Sequence, residues 1–427
     1  MTTTENRQRR TENREPRTHK QMAHFDIIII GGGAAGFFTA INAAEFNPNL
    51  NIAILERGKE VLTKVKVSGG GRCNVTHAEF IPKELSSNYP RGEKELLGPF
   101  HNFMTGDTME WFEKRGITLK IEEDGRIFPV SDDSQSIINC FLHEVERLKI
   151  QVFKSQAVQS FQQKNSSWHV KTKNADFSAE KIMLASGSNP KMWKSLKNLG
   201  HKIIEPVPSL FTFNIKDERI KDIPGITTEA QVKINSKNIN LESTGPLLIT
   251  HWGMSGPGIL KLSAWGARSL KELDYKFELK VNWLPGTTSE EILRSLKTLK
   301  ISLAKQQVLK HAQFDLPKRL WKKLGDASKI SEDTTWADLN KQQLQNLSEQ
   351  LTEASFQVHG KSTFKDEFVT AGGVDLKEVD FKTFESKLHK NLFLAGEVLN
   401  IDAITGGFNF QNAWTGAYLA AQKIAED

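Results

Sequence analysis

The residues best suited to chemistry begin with three glycines and an acidic residue near the N-terminus. The segment reads Gly31-x-Gly33-x-x-Gly36, and Glu56 follows at the end of the next apolar run. Glycines at this spacing permit a tight turn, the close approach of a pyrophosphate and the packing of a helix against a strand. The acid would accept hydrogen bonds from a ribose hydroxyl. The pattern predicts a dinucleotide site, although a glycine turn that binds nothing would show the same residues.

The acidic residue narrows the choice of dinucleotide. Glu56 stands where NADP-selective sites place an arginine, so the adenosine half is expected to belong to FAD or NAD. Arg57, directly after it, keeps NADP open. Amide groups at the start of the following helix, at Ala34 and Ala35, would face the phosphates together with the positive end of the helix dipole.

A second glycine loop combines main-chain access with a cation, a thiol and an amide. It runs from Ser68 through three glycines to Arg72, Cys73 and Asn74. Such a backbone can approach a planar ligand or a phosphate closely, and Arg72 could neutralise a phosphate or a reduced flavin. Cys73 could donate a proton as a general acid, or it could simply fill a small apolar space.

Two further segments carry candidate groups. Near the C-terminus, Gly406 and Gly407 lie in a loop that joins a strand end to the last helix, and their amides could face flavin N1 and C2=O. In the middle of the chain, His251 lies in the segment THWGMSGP and could donate a proton or contact a phosphate. A lone histidine is more often structural, so both interpretations stay open.

Apolar runs and helical spacing indicate how these groups are positioned. The predicted elements are strands over 25–30, 51–55, 181–185 and 391–395 and helices over 34–46 and about 409–424. The strands over 25–30 and 51–55, with the helix over 34–46 between them, form a compact βαβ unit. Between these ends, alternating apolar residues predict short strands over 206–283, and leucines at helical spacing predict helices over 287–358. The simplest organisation is one α/β domain built from both ends of the chain and interrupted by a β plus α insertion.

Composition excludes several classes of protein. Of the 427 residues, 38% are hydrophobic and 25% are charged, which is typical of a globular chain with about three folding units. The longest nearly apolar stretch, 27–41, is shorter than the ~20 residues of a membrane span. Two cysteines without CxxC spacing indicate neither a disulfide framework nor a metal site. Residues 1–24 lack the apolar segment of a secretory signal and are expected to be a disordered basic leader, so we expect a cytoplasmic protein.

The net charge of +6 is unevenly distributed. Residues 1–24 hold six basic and three acidic side chains, and residues 292–325 hold nine basic side chains against Asp315 alone. Such patches can attract a polyanion such as RNA, or they can be an ordinary solvated surface. The candidate nucleic-acid contacts are Lys318, Arg319, Lys322 and Lys323.

Together these motifs resemble those of the BaiN/RdsA-type family of NAD(P)/FAD-dependent oxidoreductases over residues 25–425. The elements GGGAAG, K-x-x-x-SGGGRCN, THxGxSGP, TAGGV and GEVLN-x-D-x-x-x-GGFN-x-Q carry the resemblance, and SGGGRCN and GGFNFQ are the most specific. The resemblance implies an α/β fold of the two-dinucleotide-binding flavoprotein type, with FAD as cofactor and NAD(P)H as a transient reductant. The predicted domains are then a Rossmann-like FAD-binding domain over 25–195 and 361–427, an inserted β-rich substrate domain over 196–285 and an inserted helical domain over 286–360.

The resemblance also implies which residues contact the cofactor. The candidates are Gly31, Gly33, Ala34, Ala35, Gly36, Glu56 and Arg57 for the ADP portion; Lys64, Ser68, Gly70, Gly71, Arg72, Cys73 and Asn74 near the flavin; Ala185 and Gly187 after the third strand; and Gly396, Glu397, Gly406, Gly407, Phe408, Asn409 and Gln411 in the C-terminal loop. One departure concerns the shape of the cavity. After the third strand the family shows ATGG and later glycines, whereas this chain reads ASGSNPKMWK from Ala185.

The family's known activities reduce an activated C=C bond, in bile acids in one branch and in a uridine of large-subunit ribosomal RNA in another. In such chemistry a hydride reaches one carbon and an acid protonates its neighbour. Cys73 is the first candidate for that acid and His251 the second. Three functions stay open: reduction of uridine to dihydrouridine in ribosomal RNA, reduction or oxidation of a small organic substrate, and a non-catalytic flavin redox sensor. No motif bears on the oligomeric state.

Overall fold

A computed structural model of the protein describes residues 22–236, 239–362 and 369–426. Residues 1–21 of the predicted leader lie outside the described residues, and the first strand already begins at Ala23. The elements up to residue 200 are β1 (Ala23–Ile30), α1 (Ala34–Phe46), β2 (Ile52–Leu55), α2 (Thr63–Val67), β3 (Thr76–His77), α3 (Pro82–Ser86), α4 (Glu93–Phe100), α5 (Thr105–Glu113), β4 (Leu119–Ile121), β5 (Arg126–Pro129), α6 (Ser134–Arg147), β6 (Gln151–Phe153), β7 (Val158–Lys164), β8 (Ser167–Thr172), β9 (Asp176–Leu184) and α7 (Pro190–Asn198).

The remaining elements belong to the middle and the end of the chain. The middle contains β10 (Ile203–Ser209), β11 (Thr212–Ile215), β12 (Thr227–Ser236), β13 (Ile239–Thr250), β14 (Gly253–Ser255), α8 (Pro257–Trp265), α9 (Ala267–Glu272), β15 (Lys276–Asn282), α10 (Ser289–Ser302), α11 (Lys318–Ala327), α12 (Lys341–Thr352) and β16 (Ala354–Ser362). The end contains β17 (Val369–Val374), β18 (Val379–Asp380), β19 (Glu385–Ser386), β20 (Leu392–Leu394) and α13 (Phe408–Ala425).

Both ends of the chain build one main sheet. Its strand order is β18-β19-β20-β9-β1-β2-β6, and β20, β9, β1, β2 and β6 run parallel. Residues Ile27 to Ile30 are at most 3% exposed, which explains why this central strand reads as a continuous apolar run. Helices α1 and α13 pack against each other beside the sheet through Phe38 and Trp414. The predicted Rossmann-like α/β fold is confirmed, and we call the described residues of 22–202 and 375–426 the Rossmann body.

The middle of the chain closes into a barrel. Its strand order is β11-β14-β13-β12-β15-β16, and along β15 the buried Phe277, Leu279 and Val281 alternate with exposed charged residues. Helices α10, α11 and α12 lie between β15 and β16 in sequence, and the apolar residues of these helices share one core with the barrel strands. We call the described residues of 210–362 the barrel body.

This arrangement differs from the predicted insertion in three ways. The helical segment shares the barrel's core through Leu296, Leu320 and Leu347, so it is not a separate unit. Residues 354–362, expected to be helical up to 358, form barrel strand β16, and the predicted boundary at 360 therefore lies inside a strand. Helices α8 and α9 also interrupt the stretch expected to contain only strands.

The two bodies are joined by one antiparallel strand pair. Strand β10 leads into the barrel body and β17 leads out of it, and they pair from Ile203 with Val374 to Ser209 with Val369. Val207, Ala267 and Ala371 form a small apolar cluster at this joint. Within the described ranges, no helix combines the length and the apolar character that crossing a membrane requires.

Candidate active site

A cavity of about 1090 Å³ lies where the strand ends of the Rossmann body face the barrel body. Parallel strands β1, β2, β9 and β20 each end at this edge, and the residue pairs that follow them all line the cavity. The predicted site residues found in its lining are Gly31, Gly33, Ala34, Ala35, Glu56, Arg57, Lys64, Ser68, Asn74, Ala185, Gly187, His251, Gly396, Glu397, Gly406, Gly407 and Asn409.

The glycines after β1 have the geometry that their spacing predicts. Gly31 has φ +120°, and a Cβ there would lie 2.3 Å from the carbonyl oxygen of Ala185. A Cβ on Gly36 would lie 2.0 Å from the carbonyl oxygen of Gly31, so the helix can approach the strand only without a side chain at this position. A Cβ on Gly33 would meet nothing within 4 Å, since this residue faces the open cavity.

Glu56 is held in place by main-chain amides. Its Oε2 accepts a hydrogen bond from the amide of Gly32 at 2.8 Å, and its Oε1 accepts one from the amide of Gly58 at 2.6 Å. The side chain lines the cavity at the C-terminal end of β2. A fixed carboxylate at this position can accept a further hydrogen bond from a ribose hydroxyl.

An ion pair spans the cavity wall between Lys64 and Glu397. The ammonium of Lys64, on α2, contacts Oε2 of Glu397, which follows β20. The Lys64 side chain is 54% exposed and the Glu397 side chain 17%, so the pair joins an open edge of the cavity to its interior. Both residues line the cavity.

Two buried polar atoms in the lining have no protein partner among the described residues. They are Oδ1 of Asn74, a residue that is 8% exposed, and Oγ of Ser186. Buried polar atoms in native proteins are nearly always hydrogen-bonded. Together with the open glycine at position 33 and the carboxylate of Glu56, these atoms fit an extended ligand that carries both donors and acceptors, such as FAD.

The second glycine loop reaches the cavity at only some of the predicted positions. Ser68 and Asn74 line it, but Gly70, Gly71, Arg72 and Cys73 do not. Arg72 instead donates to Glu122 at 2.6 Å and lies 3.8 Å above the ring of Phe128, so its charge is already balanced by a carboxylate. Arg72 therefore does not line the cavity, and its contact with a phosphate or flavin stays a prediction.

Of the two interpretations of Cys73, its position agrees with a side chain that fills apolar space. Its side chain is fully buried in the apolar core, and its backbone has φ +62°. Burial raises the pKa of the Cys73 thiol to about 12, against the opposing hydrogen bond with Ser68. Cys73 does not line the cavity, and its role as a general acid stays a prediction.

The C-terminal loop closes one end of the cavity. Gly407 has φ +97°, and a Cβ there would lie 2.5 Å from the carbonyl oxygen of Thr76. Asn409 holds the loop by accepting a hydrogen bond from the amide of Ala403 at 3.0 Å. Phe408 and Gln411 do not line the cavity. Phe408 stacks on His77 with ring centroids 4.4 Å apart, and Gln411 accepts hydrogen bonds from two buried threonines.

The barrel body supplies the opposite wall. Its turn between β13 and β14 carries His251 and Trp252, both exposed, and both line the cavity. Hydroxyl and apolar residues that were not among the predicted site residues complete this wall: Leu210, Thr212, Leu248, Ile249, Thr250, Ser255, Leu260 and Ser362. Thr250, Trp252 and Ser255 share a motif with His251 and could have been found from it. The aliphatic residues follow the same apolar pattern as other strand residues, so the sequence does not distinguish them as cavity residues.

The predicted nucleic-acid contacts lie on a separate surface. Helix α11 buries Leu320 and Leu324, while Lys318, Arg319 and Lys322 on its other face are exposed and Lys323 is half-buried. None of the four lines the cavity, and Lys322 forms an ion pair with Glu332.

A smaller cavity of about 640 Å³ is lined by residues of α1, α5, α6 and α13. Ion pairs such as Arg115 with Glu45 cross it, so these charged groups already have partners.

Comparison with known proteins supports the same fold. The model of the HI0933-like protein Rossmann domain family matches residues 25–423. The 3-dehydro-bile acid delta(4,6)-reductase of Clostridium scindens is 28% identical over 413 residues, which cover 94% of this chain and 99% of that protein. The ribosomal RNA dihydrouridine synthase of Escherichia coli is 27% identical over 414 residues, which cover 94% and 98%.

Among solved structures, the 3-ketosteroid-delta4-(5alpha)-dehydrogenase of Rhodococcus jostii superposes with a TM-score of 0.51. It is 12% identical, and the match covers 96% of this chain and 99% of that chain. The 3-ketosteroid delta1-dehydrogenase of Sterolibacterium denitrificans gives a TM-score of 0.50 at 11% identity, covering 95% and 100%. At this identity the likeness concerns the fold.

Proposed function

This chain belongs to the HI0933-like Rossmann family of FAD-dependent oxidoreductases, and we propose that it reduces an activated C=C bond with His251 as the proton donor. The observation that carries the proposal is the single cavity in which the glycine loops of the Rossmann body meet a barrel wall that holds a histidine. Bound FAD would supply the hydride for one carbon of the double bond. The chain must therefore hold the cofactor, orient the substrate and deliver one proton.

Several residues would hold the cofactor. Glu56 would accept a hydrogen bond from the adenosine ribose, and Gly33 leaves room for the pyrophosphate beside the start of α1. Glu397, held by Lys64, would accept hydrogen bonds from further hydroxyl groups of the cofactor. The unpartnered Oδ1 of Asn74 would accept a hydrogen bond from an N–H group of the flavin.

His251 is the proton donor that fits this geometry. Among the described residues of the barrel wall that line the cavity, it is the only histidine, and an imidazole can donate a proton. It would transfer its proton to the carbon beside the one that receives the hydride, so that the two added hydrogens saturate the bond. Ser255 on the same wall accepts a hydrogen bond from Thr212, and its own hydroxyl would donate one to the substrate's conjugated carbonyl oxygen as that oxygen gains negative charge.

The activity can be tested with His251→Gln and a matched control. The reduced holoenzyme would be mixed anaerobically with cyclohex-2-enone, and reoxidation of the flavin would be followed by absorbance. His251→Gln is expected to slow this step about 10²- to 10⁴-fold, the usual contribution of a positioned acid. His101→Gln changes an exposed histidine outside the cavity and should leave the rate unchanged. Equal rates for the two variants would refute the assigned acid.

NAD(P)H is the proposed source of electrons, as the family resemblance implies. It would reduce the bound flavin transiently and leave before the acceptor enters. Anaerobic mixing of the oxidised holoenzyme with NADH or NADPH tests this directly, because flavin bleaching within the time of one turnover is expected with one of them. If dithionite bleaches the flavin but neither NADH nor NADPH does, the enzyme uses another reductant.

The substrate has two candidates. The first is a uridine of large-subunit ribosomal RNA, favoured by the relative in Escherichia coli and by the exposed cations of α11, which would contact phosphates. Such a substrate would place the enzyme in the cytoplasm. The second is a small organic molecule with a conjugated double bond, favoured by the bile acid reductase relative and by the aliphatic residues of the barrel wall.

One experiment separates the two candidates. Dihydrouridine would be quantified by mass spectrometry in large-subunit ribosomal RNA from a deletion strain, its parent and a strain complemented with His251→Gln. Loss in the deletion strain, with no recovery in the variant, would support the RNA substrate. Replacing the four cations of α11 by glutamine should then weaken RNA binding without changing reduction of cyclohex-2-enone. Unchanged dihydrouridine in the deletion strain would leave the small-molecule candidate.

A further inference from the structure

Asp402 is a fully buried carboxylate at the place where the two bodies meet. It lies between β20 and α13, in the loop that lines the cavity from Gly396 to Gly407. Burying a charge is costly unless partners satisfy it, so this side chain needs a reason to be here. Neither the cofactor loops nor the barrel wall uses it directly, because it does not line the cavity.

The partners of Asp402 form a fork. Nε of Arg91 donates to Oδ1 at 2.5 Å, and Nη2 of Arg91 donates to Oδ2. Ser209 Oγ donates to Oδ2 at 2.7 Å, and Nη1 of Arg91 donates to the carbonyl oxygen of Ala264 at 2.7 Å. A forked arginine–carboxylate pair fixes direction as well as distance.

These partners lie on both sides of the joint. Arg91 precedes α4 in the Rossmann body. Ser209 ends β10 and is followed by Leu210, which lines the cavity. Ala264 lies on α8, and that helix lines the cavity through Leu260. One ion pair therefore connects the C-terminal loop to two segments of the opposite cavity wall.

Besides the backbone ladder of β10 and β17, side-chain contacts of different strength cross the joint. The large apolar cores of the two bodies are separate clusters, and Ala264 and Leu210 are the points of the barrel body that pack into the Rossmann core among the described residues. Apolar contact is non-directional. Arg268 adds weaker contacts, donating to the carbonyl oxygen of Glu205 at 3.2 Å and to Oδ1 of Asn400 at 3.4 Å. The hydrogen bond from Arg91 to the carbonyl oxygen of Ala264, at 2.7 Å, is shorter than these, and the fork on Asp402 within the Rossmann body fixes the guanidinium that donates it.

We propose that Arg91 and Asp402 are positioning residues whose ion pair sets the spacing between the loop 404–407 and the barrel wall that carries His251. The inference rests on the proposed function, because the spacing matters only if the two walls act on one substrate. A shift of about 1 Å between reacting groups can cost about a hundredfold in rate.

The test removes both charges together. The double variant Arg91→Met and Asp402→Leu leaves no unpaired charge in the interior, and such apolar replacements of buried pairs usually fold. It is expected to bind FAD and to be reduced by dithionite like the parent protein. At saturating cyclohex-2-enone, kcat should fall about tenfold to a hundredfold while KM changes by less than about threefold, because binding groups remain and alignment is lost.

A second readout does not depend on turnover. The Stern–Volmer constant for quenching of the bound flavin's fluorescence by iodide is expected to rise by about twofold, since a displaced barrel wall admits solvent. Lys271→Met is the control, because it breaks an exposed ion pair with Glu205 at the same joint and should change neither readout. If the double variant does not bind FAD, Arg91→Lys, which keeps the charge but loses the fork, is measured in its place with the same expected directions.

The outcomes separate the inference from the function on which it rests. Parent-like kcat and quenching in the double variant would show that the pair only stabilises the fold, and the inference would be overturned. If the parent holoenzyme itself does not reduce the enone, the proposed function fails for this substrate class. The iodide measurement then still decides whether the pair sets the position of the barrel wall.

Discussion

Replacing Gly407 by alanine is expected to loosen the end of the cavity that the C-terminal loop closes. Gly407 has φ +97°, and an added Cβ would lie 2.5 Å from the carbonyl oxygen of Thr76 and 2.9 Å from Oδ1 of Asn74. Because the first contact is with backbone, one of the two loops must move. Gly200 also has φ +97°, but a Cβ there would meet nothing within 4 Å. Comparing Gly407→Ala with Gly200→Ala therefore separates the free-energy cost of the backbone conformation from the cost of the steric contact.

The magnitudes follow from these geometries. Alanine in the left-handed region costs about 1–2 kcal/mol, and this is the whole cost expected for Gly200→Ala. Forcing an extra methyl group into a packed site adds about 1–3 kcal/mol, so Gly407→Ala should lower the free energy of unfolding by about 2–5 kcal/mol. Displacing Asn74 should also raise the dissociation constant of FAD by about tenfold, which corresponds to about 1.4 kcal/mol.

The assay is chemical unfolding of the apoprotein, combined with titration of FAD followed by quenching of its fluorescence. Gly200→Ala should bind FAD like the parent protein, because its methyl group lies at the far end of α7 from the cavity. The reasoning would be refuted if the two variants lost equal stability, or if Gly407→Ala kept the FAD affinity of the parent.

Three further predictions concern other sites. Trp252→Leu should raise KM for a planar acceptor about tenfold or more through lost stacking, while Trp265→Leu, equally exposed but outside the cavity, should not; equal KM values would contradict a substrate contact. Glu56→Gln should raise the FAD dissociation constant about tenfold or more by weakening charge-assisted hydrogen bonds, whereas the exposed Glu60→Gln should leave it unchanged. Burial lowers the pKa of His201 in the folded protein. Below about pH 6.5 the imidazole is therefore protonated more readily in the unfolded chain than in the folded one, and the free energy of unfolding should fall as the pH decreases. His201→Gln should reduce this fall between urea unfolding at pH 7.5 and at pH 5.5, and identical pH dependence would contradict the assignment.

Local patterns predicted the parts of the fold that local physics controls. Helix α1 spans the residues expected from the sequence. Its position could be predicted because the apolar run and the three glycines that mark its start lie directly before it in the chain. Cys73 could not be placed in this way, since its burial depends on packing against elements outside its own loop. The shared core of barrel and helices was missed for a similar reason: β16 pairs with β15 only after three intervening helices.

In the candidate site, too, features set by local sequence could be predicted and features set by contacts between distant segments could not. The glycine loops and His251 were visible because special backbone conformations and a titratable ring leave a signature in single residues. The link between Arg91 and Asp402 joins residues 311 positions apart, and nothing in either local sequence indicates its partner. In the C-terminal motif Asp402 is one acidic residue like any other. Only its complete burial in the structure distinguishes it.

The position of β20 in the main sheet has a consequence for synthesis on the ribosome. This strand, from residues 392–394, lies between β9 and β19, and the loop and helix that follow it close the cavity and pack on α1. The barrel body is translated earlier and has its own core, so it can fold while the Rossmann body still lacks a central strand. The nascent chain therefore cannot enclose its cofactor until translation has passed residue 413, so loading of FAD follows the synthesis of the whole barrel body.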